Sequence, residues 1–298
     1  MVKNKRVKST KLPKKTAKNK TEKTGELSSL TLLRDSLSFI YLHKKILFGV
    51  TLVFFVIYLV MVRSGSSFDI DTTQQLVNEG VGDTGLFSKT LLTGVLLGSG
   101  AGVSAGISGL STLLLLVLGS LAFIWAIRHL EAGKRFKVRD PYYSGMYPLI
   151  PFLLIILLIS AQMIPFALGG FLYATAEVNG IISSVIERLL FVSGWIVLGL
   201  LSAYWLANSL MGIYAVTLPD IYPLQALRST KKIVKGRRWS VLIKLLVLAI
   251  FLAVVMSVLM LITVILLPAV AVYVYDVLFV FALLFTHVYM FKLYRSLI

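Results

Sequence analysis

The sequence has no cysteine among its 298 residues. Disulfide scaffolds, thiolate metal sites and cysteine nucleophiles are thereby excluded, while the redox compartment is left open. Charge is scarce too: 14% of residues are Asp, Glu, Lys or Arg, against about 25% in a typical soluble domain. Acids are scarcest, 13 against 30 Lys and Arg, and there are three histidines. No pair of acids, no charged row and no His-x-x-x-His falls inside an apolar stretch. A proton-coupled pump or a metal transporter would normally carry one. No cofactor is expected, and no catalytic or metal-binding set is assigned.

What is present is hydrophobic. Apolar residues make up 57% of the chain and the mean hydropathy is +0.87. A chain this apolar has too little polar surface to stay in water, so a membrane is implied. The net charge of +17 is concentrated at the start. Ten Lys and Arg lie between Lys3 and Lys23, and Arg34, Lys44 and Lys45 follow. Residues 1–26 offer almost nothing to bury and are expected to be a disordered Lys-rich cytoplasmic tail. Beside a membrane, such a tail is drawn to acidic headgroups by about 1 kcal/mol per charge. That attraction, not specific nucleic-acid binding, is its expected use. With no apolar core directly after the charges, it does not read as a cleaved signal peptide.

Residues 27–298 read as a six-helix membrane domain. Leu30, Leu33, Leu37 and Ile40, followed by Lys44 and Lys45, have helical spacing. They suggest an amphipathic helix in the cytoplasmic interface, or the wet lower end of the first span. The spans are expected at about 46–62, 110–127, 149–173, 189–215, 241–267 and 277–292, the third broken by Pro165 and Gly169-Gly170. The difficult stretch is Thr90 to Ile127, 38 residues without a charge. As one helix it would be about 57 Å long, nearly twice the hydrocarbon core. Its first part, to Gly109, could be interfacial, re-entrant or an extra crossing.

Charge decides for one crossing. Arg128, Lys134, Arg135, Lys137 and Arg139 follow it, and Arg228, Lys231, Lys232, Lys235, Arg237 and Arg238 crowd a later loop. Short Lys/Arg-rich loops stay in the cytoplasm. With six spans every such loop falls on one side, and Arg63 and Lys89 are the basic residues of the outer loops. The reading is an all-α polytopic bundle in the cell inner membrane, both termini cytoplasmic.

Several motifs invite chemistry. Gly106-Ile107-Ser108-Gly109 with His287 on the last span resembles the Ser–His dyad of rhomboid intramembrane proteases. However, Ser108 opens its span on the outside while His287 lies nearer the inside of its own. Gly94, Gly98, Gly102 and Gly106 recur every four residues, the spacing that lets helices pack backbone to backbone. Asp276 is placed at the hydrated outer end of the last span, and Arg128, His129, Lys244 and Lys292 are placed to snorkel. Lys231, Lys232, Lys235, Arg237 and Arg238, ending at Trp239, form a basic amphipathic segment with an interfacial aromatic. They are the expected contact for anionic headgroups on the cytoplasmic face, or for a membrane-protein partner.

Pro223, Ala226-Leu227-Arg228-Ser229, Lys235-Gly236 and Trp239 resemble the signature loop of YciC-like bacterial membrane proteins and of the membrane domain joined to some glycerophosphoryl diester phosphodiesterases. Arg128 to Gly133 with Tyr143, Gly145 and Pro148 to Pro151, and the closing Leu293-Tyr294-Arg295, are similar to other stretches of that family. The resemblance implies a six-helix domain loosely associated with lipid and carries over no catalytic residue. The function expected is thus a non-enzymatic envelope or lipid-associated scaffold or accessory subunit. A permease for a lipid-like or small apolar solute is the second reading, and the intramembrane serine protease a distant third. Since the chain has no native cysteine, single Ser88→Cys and Lys134→Cys variants report the span count cleanly. An impermeant maleimide should label them from opposite sides, and labelling from the same side would overturn six spans.

Overall fold

The computed structural model describes residues 28–63, 107–218, 222–267 and 270–298. The expected tail, the stretch 64–106 and the glycines Gly94, Gly98, Gly102 and Gly106 lie outside the described residues. Every regular element among the described residues is helical. In chain order they are α1 Ser29–Leu42, α2 Lys44–Tyr58 (extended by a wider turn, Leu59–Arg63), α3 Ile107–Glu131, α4 Asp140–Ser144 and α5 Leu149–Gln162. There follow α6 Ile164–Val178, α7 Val185–Val216, α8 Pro223–Val234, α9 Arg238–Leu266 and α10 Ala271–Leu297. Six stretches are long and apolar enough to cross a membrane: Lys44–Met61, Thr112–Glu131, Leu149–Val178, Val185–Val216, Arg238–Leu266 and Tyr273–Leu297.

The ends of these helices follow local chemistry. The third span breaks at Met163, whose N–H bonds both Ile159 O and Ser160 O at 3.1 Å. Pro165 stands in the first turn of α6, where its missing N–H is harmless but where it could not have continued α5. Gly169-Gly170 does not break anything. It lies within α6, and a Cβ at Gly169 would meet Trp195 at 2.8 Å. The glycines let the Trp195 indole lie on α6 and donate to Phe166 O at 3.2 Å. Gly180, at φ +68°, closes α6, with Ile181 N–H on Ala176 O and Gly180 N–H on Glu177 O. That is the left-handed helix stop glycine allows. Ser184 then opens α7 with a capping box, its Oγ accepting from Glu187 N–H while Glu187 Oε2 accepts from Ser184 N–H at 3.0 Å. These donors would otherwise be unmet.

Two helices make the centre. Within the most apolar 18 residues of each, 56% of α3 and 50% of α10 is buried, against 6% in α7 and in α9. The peripheral helices keep apolar side chains on the outside, as hydrocarbon allows. Close approach at the centre depends on Gly119 of α3: a Cβ there would fall 2.2 Å from the Phe54 ring of α2. Phe54 meets Phe123 edge to face at 5.5 Å. The loop after α3 is pinned by Tyr142, whose hydroxyl donates to Val50 O at 2.6 Å. Burial pushes that phenol well above its ordinary range, so it remains a donor.

Helix α1 is a separate element, not the lower end of the first span. It buries Leu32, Leu33, Ser36 and Phe39 and lies chiefly against α10, where Lys292 Nζ sits 4.8 Å from the Phe39 ring. Of the stripe expected to be apolar, Leu30 and Leu37 remain exposed. The helix thus buries one apolar face on protein and leaves Leu30 and Leu37 exposed beside Arg34.

The end of the bundle with α1, α4 and α8 holds most of the basic residues. The opposite end has Arg63 closing the first span and Arg188 opening α7. Arg188 is overlooked in the sequence, falling between the expected acidic connection and the span expected from residue 189, whereas the helix already begins at Val185. It pairs with Glu177 at 3.7 Å across the α6–α7 turn. Gly119→Ala should lower stability by about 1–3 kcal/mol through overpacking, read as a thermal shift in detergent. Phe54→Leu on top of it should recover part of that loss. If the double variant falls as far as the sum of the singles, the Gly119–Phe54 approach does not hold the seam.

Candidate functional site

Helix α8 is amphipathic in the strict sense of its burial. Ala226, Thr230 and Val234, four residues apart, are buried, and the helix packs along α7. It can come close because a Cβ at Gly212 of α7 would already stand 3.1 Å from Leu227. The outer face then carries Arg228, Lys231, Lys232 and Lys235 to the surface. Gly236 follows at φ +83°, a left-handed turn that a residue with a Cβ adopts only under strain. Arg237 N–H closes the turn on Val234 O at 3.0 Å, and α9 departs from Arg238.

This turn folds the end of α8 and the start of α9 around a cleft of roughly 410 Å³, lined by Tyr204, Lys231, Lys235, Gly236, Arg238 and Trp239. The volume is in the range of small-ligand sites. Arg238 lies over the Tyr204 ring, 4.4 Å from its centroid, an attraction of about 0.5–2 kcal/mol depending on how dry the pair is. No carboxylate lines the cleft among the described residues. Three cations facing one concavity, with no counter-charge among its described lining residues, make a field suited to an anion. Trp239 is 62% exposed at the rim.

Of the six residues expected from sequence, Lys231, Lys235, Arg238 and Trp239 are brought together, while Lys232 and Arg237 are exposed outside the lining. Sequence reasoning missed Tyr204 and Gly236 as site residues. Gly236 had a signal, a glycine directly after a basic helix end. Tyr204 had none, being one of two tyrosines on an apolar helix.

A second polar cluster is buried at the centre. His287 Nε2 is 3.0 Å from Ser120 Oγ, and its Nδ1 is 3.1 Å from the Tyr214 hydroxyl. Both partners can donate or accept, so either neutral tautomer is satisfied. Ser108, at the start of α3, is twelve residues from Ser120, about 18 Å of helix rise. Both ring nitrogens of His287 are engaged with Ser120 and Tyr214, in keeping with the expected separation of Ser108 from His287. Ser120 sits in the middle of α3, where the surrounding backbone N–H groups serve the helix ladder. The cluster ties α3, α7 and α10 together.

Arg128 also departs from expectation. It does not snorkel but reaches α7, donating to Tyr214 O at 3.0 Å, to Thr217 Oγ1 at 2.6 Å and to Thr217 O. The two carbonyl oxygens are among those that a helix end leaves without a partner in the helix ladder. His129 stacks on Trp125 at 3.6 Å. Lys244 and Asp276 are buried, at 5% and 6% exposure, Asp276 inside the bundle and not at a hydrated rim. On α5 and α7, Gln162 Oε1, Asn208 Oδ1 and Ser209 Oγ are buried with no hydrogen-bond partner among the described residues. Among the described residues no group of three or more His, Cys, Asp or Glu could hold a metal ion.

No family model, no curated protein and no solved structure matches this chain. Arg128→Lys keeps the charge but cannot span three acceptors on α7, and should cost about 1–3 kcal/mol in thermal unfolding. Arg295→Lys, at the exposed 2.5 Å pair with Glu131, should cost under about 1 kcal/mol. Equal losses would show that Arg128 is no clamp.

Proposed function

We propose that this protein is a non-enzymatic integral membrane protein that engages anionic lipid headgroups through its basic end, as an envelope or lipid-associated scaffold or accessory subunit. One observation carries the reading: the cleft gathers Lys231, Lys235 and Arg238 with two aromatics and no acid among its described lining residues. Its position supports the assignment. The cleft opens where α8 turns into a membrane-length helix, at the end of the bundle richest in Lys and Arg. The positive-inside rule places that end, and with it both termini, in the cytoplasm. The anionic leaflet surface lies there, and each nearby cation gains about 1 kcal/mol from it. The short motifs resembling YciC-like membrane domains agree in kind, since Lys235, Gly236 and Trp239 belong to both.

The break at Met163 and the oxygens of Gln162, Asn208 and Ser209, buried without a partner among the described residues, favour the runner-up, a permease for a lipid-like solute, since discontinuous helices often line such sites. One preparation tests both. The full chain is reconstituted in vesicles holding equal parts phosphatidylglycerol and phosphatidylcholine, then re-extracted in mild detergent. The co-purified lipid should be enriched in phosphatidylglycerol, and Lys231→Glu/Lys235→Glu/Arg238→Glu should abolish the enrichment. Unchanged enrichment would end the headgroup reading. A fluorescent phospholipid in the same vesicles should change leaflet no faster than without protein, whereas acceleration would favour the permease.

A further inference from the structure

We infer that the cleft is a single-occupancy site for one diacyl anionic phospholipid, its phosphate among Lys231, Lys235 and Arg238 and its chains along α7 and α9. This rests on the headgroup reading and narrows it from a charged surface to a built site.

Two observations beyond charge point there. The first is that Arg238 is positioned. An arginine at a helix start is long and free to sweep the interface, yet this one lies on the Tyr204 ring at 4.4 Å. Holding the guanidinium in place cuts the ordering cost of binding and presents its planar fork to a phosphate, which it can grip with two hydrogen bonds. Tyr204 thereby acts through Arg238 as a positioning residue, from a different helix than the cations.

The second is what adjoins the cleft. From Tyr204 along α7, Leu201, Leu200 and Val197 follow at spacings of three, four and seven, and all are exposed. From Trp239 along α9, Ile243, Leu246 and Ile250 follow at four, seven and eleven, and all are exposed. Such spacings keep each set on the face of the residue it starts from. The two helices contact one another. Two apolar stripes thus leave the cleft from two of its own lining residues. A free anion has no use for them, and an acidic peptide could not follow them into hydrocarbon. A molecule with an anionic head and two apolar chains satisfies both parts.

Native mass spectrometry of the full chain, released from mild detergent after reconstitution with dioleoyl phosphatidylglycerol and dioleoyl phosphatidylcholine, counts the lipid. Wild type should retain one phosphatidylglycerol per chain. Tyr204→Leu and Arg238→Gln should each weaken retention about tenfold or more. Tyr204→Phe, which keeps the ring, should restore it and show that the fold tolerates change at this position. Lys232→Gln and Arg228→Gln remove the same charge from the exposed face of α8 outside the lining and should leave the count at one. Millimolar glycerol phosphate should not displace the lipid. Equal weakening by Lys232→Gln and Arg228→Gln would overturn the single site while leaving general headgroup attraction standing. Displacement by glycerol phosphate would overturn the role of the chains. Retention that no variant changes, with no preference for phosphatidylglycerol, would overturn both readings.

Discussion

The seam where α3 meets α10 is the constraint on which the rest of the bundle depends. His287 reaches Ser120 with one nitrogen and Tyr214 with the other, so one imidazole sets the relation of three helices. In a low-dielectric interior an unmet polar atom costs about 1–3 kcal/mol. A displacement of any of the three would therefore strand at least one of these groups. Arg128 repeats the arrangement a little further along α3, holding the end of α7 by its backbone carbonyl groups and the Thr217 hydroxyl. Around these polar ties the packing is aromatic and tight, with Gly119 admitting the Phe54 ring.

Once that centre is set, the outer helices need little from each other. Over their most apolar 18 residues, helices α7 and α9 are only 6% buried, a state that would be ruinous in water. Lipid chains are as apolar as leucine, so no hydrophobic force drives these helices inward. Contact is made instead where shape permits it, by glycine. Gly169 receives Trp195, and Gly212 receives Leu227. The second of these matters for the surface, because it lets α8 lie along α7 and bring its lysines to Tyr204. The cleft is in this sense a consequence of a glycine on a helix that carries no charge near it.

How much of this was legible in the sequence depends on which property is asked for. The number of apolar helices was readable, because hydrocarbon demands about twenty apolar residues per crossing. Their ends were less so. The last span was expected over 277–292, whereas α10 runs Ala271–Leu297. Charged residues end a hydropathy window, but they do not end a helix whose hydrogen bonds are internal. The same confusion hid Arg188. At the candidate site, basic residues close together in sequence were readable, but Lys232 and Arg237 were grouped with residues they do not join. Asp276, Lys244 and Arg128 went wrong for a related reason: distance from a span end was taken for exposure, whereas a neighbouring helix can bury or bind a charge at any height.

What the sequence determined by itself was therefore what depends on solvent alone. It is a helical membrane chain, because its apolar runs are of bilayer length, with its cations gathered mainly in the loops of one end. The tertiary structure decided everything that needs two helices at once. It gave His287 to Ser120 and Tyr214, turned Arg128 inward onto α7, and laid α1 on α10. It also set Tyr204 beneath Arg238. Periodicity says which face of a helix is apolar, and it carries no information about which other helix, at what height, will meet that face.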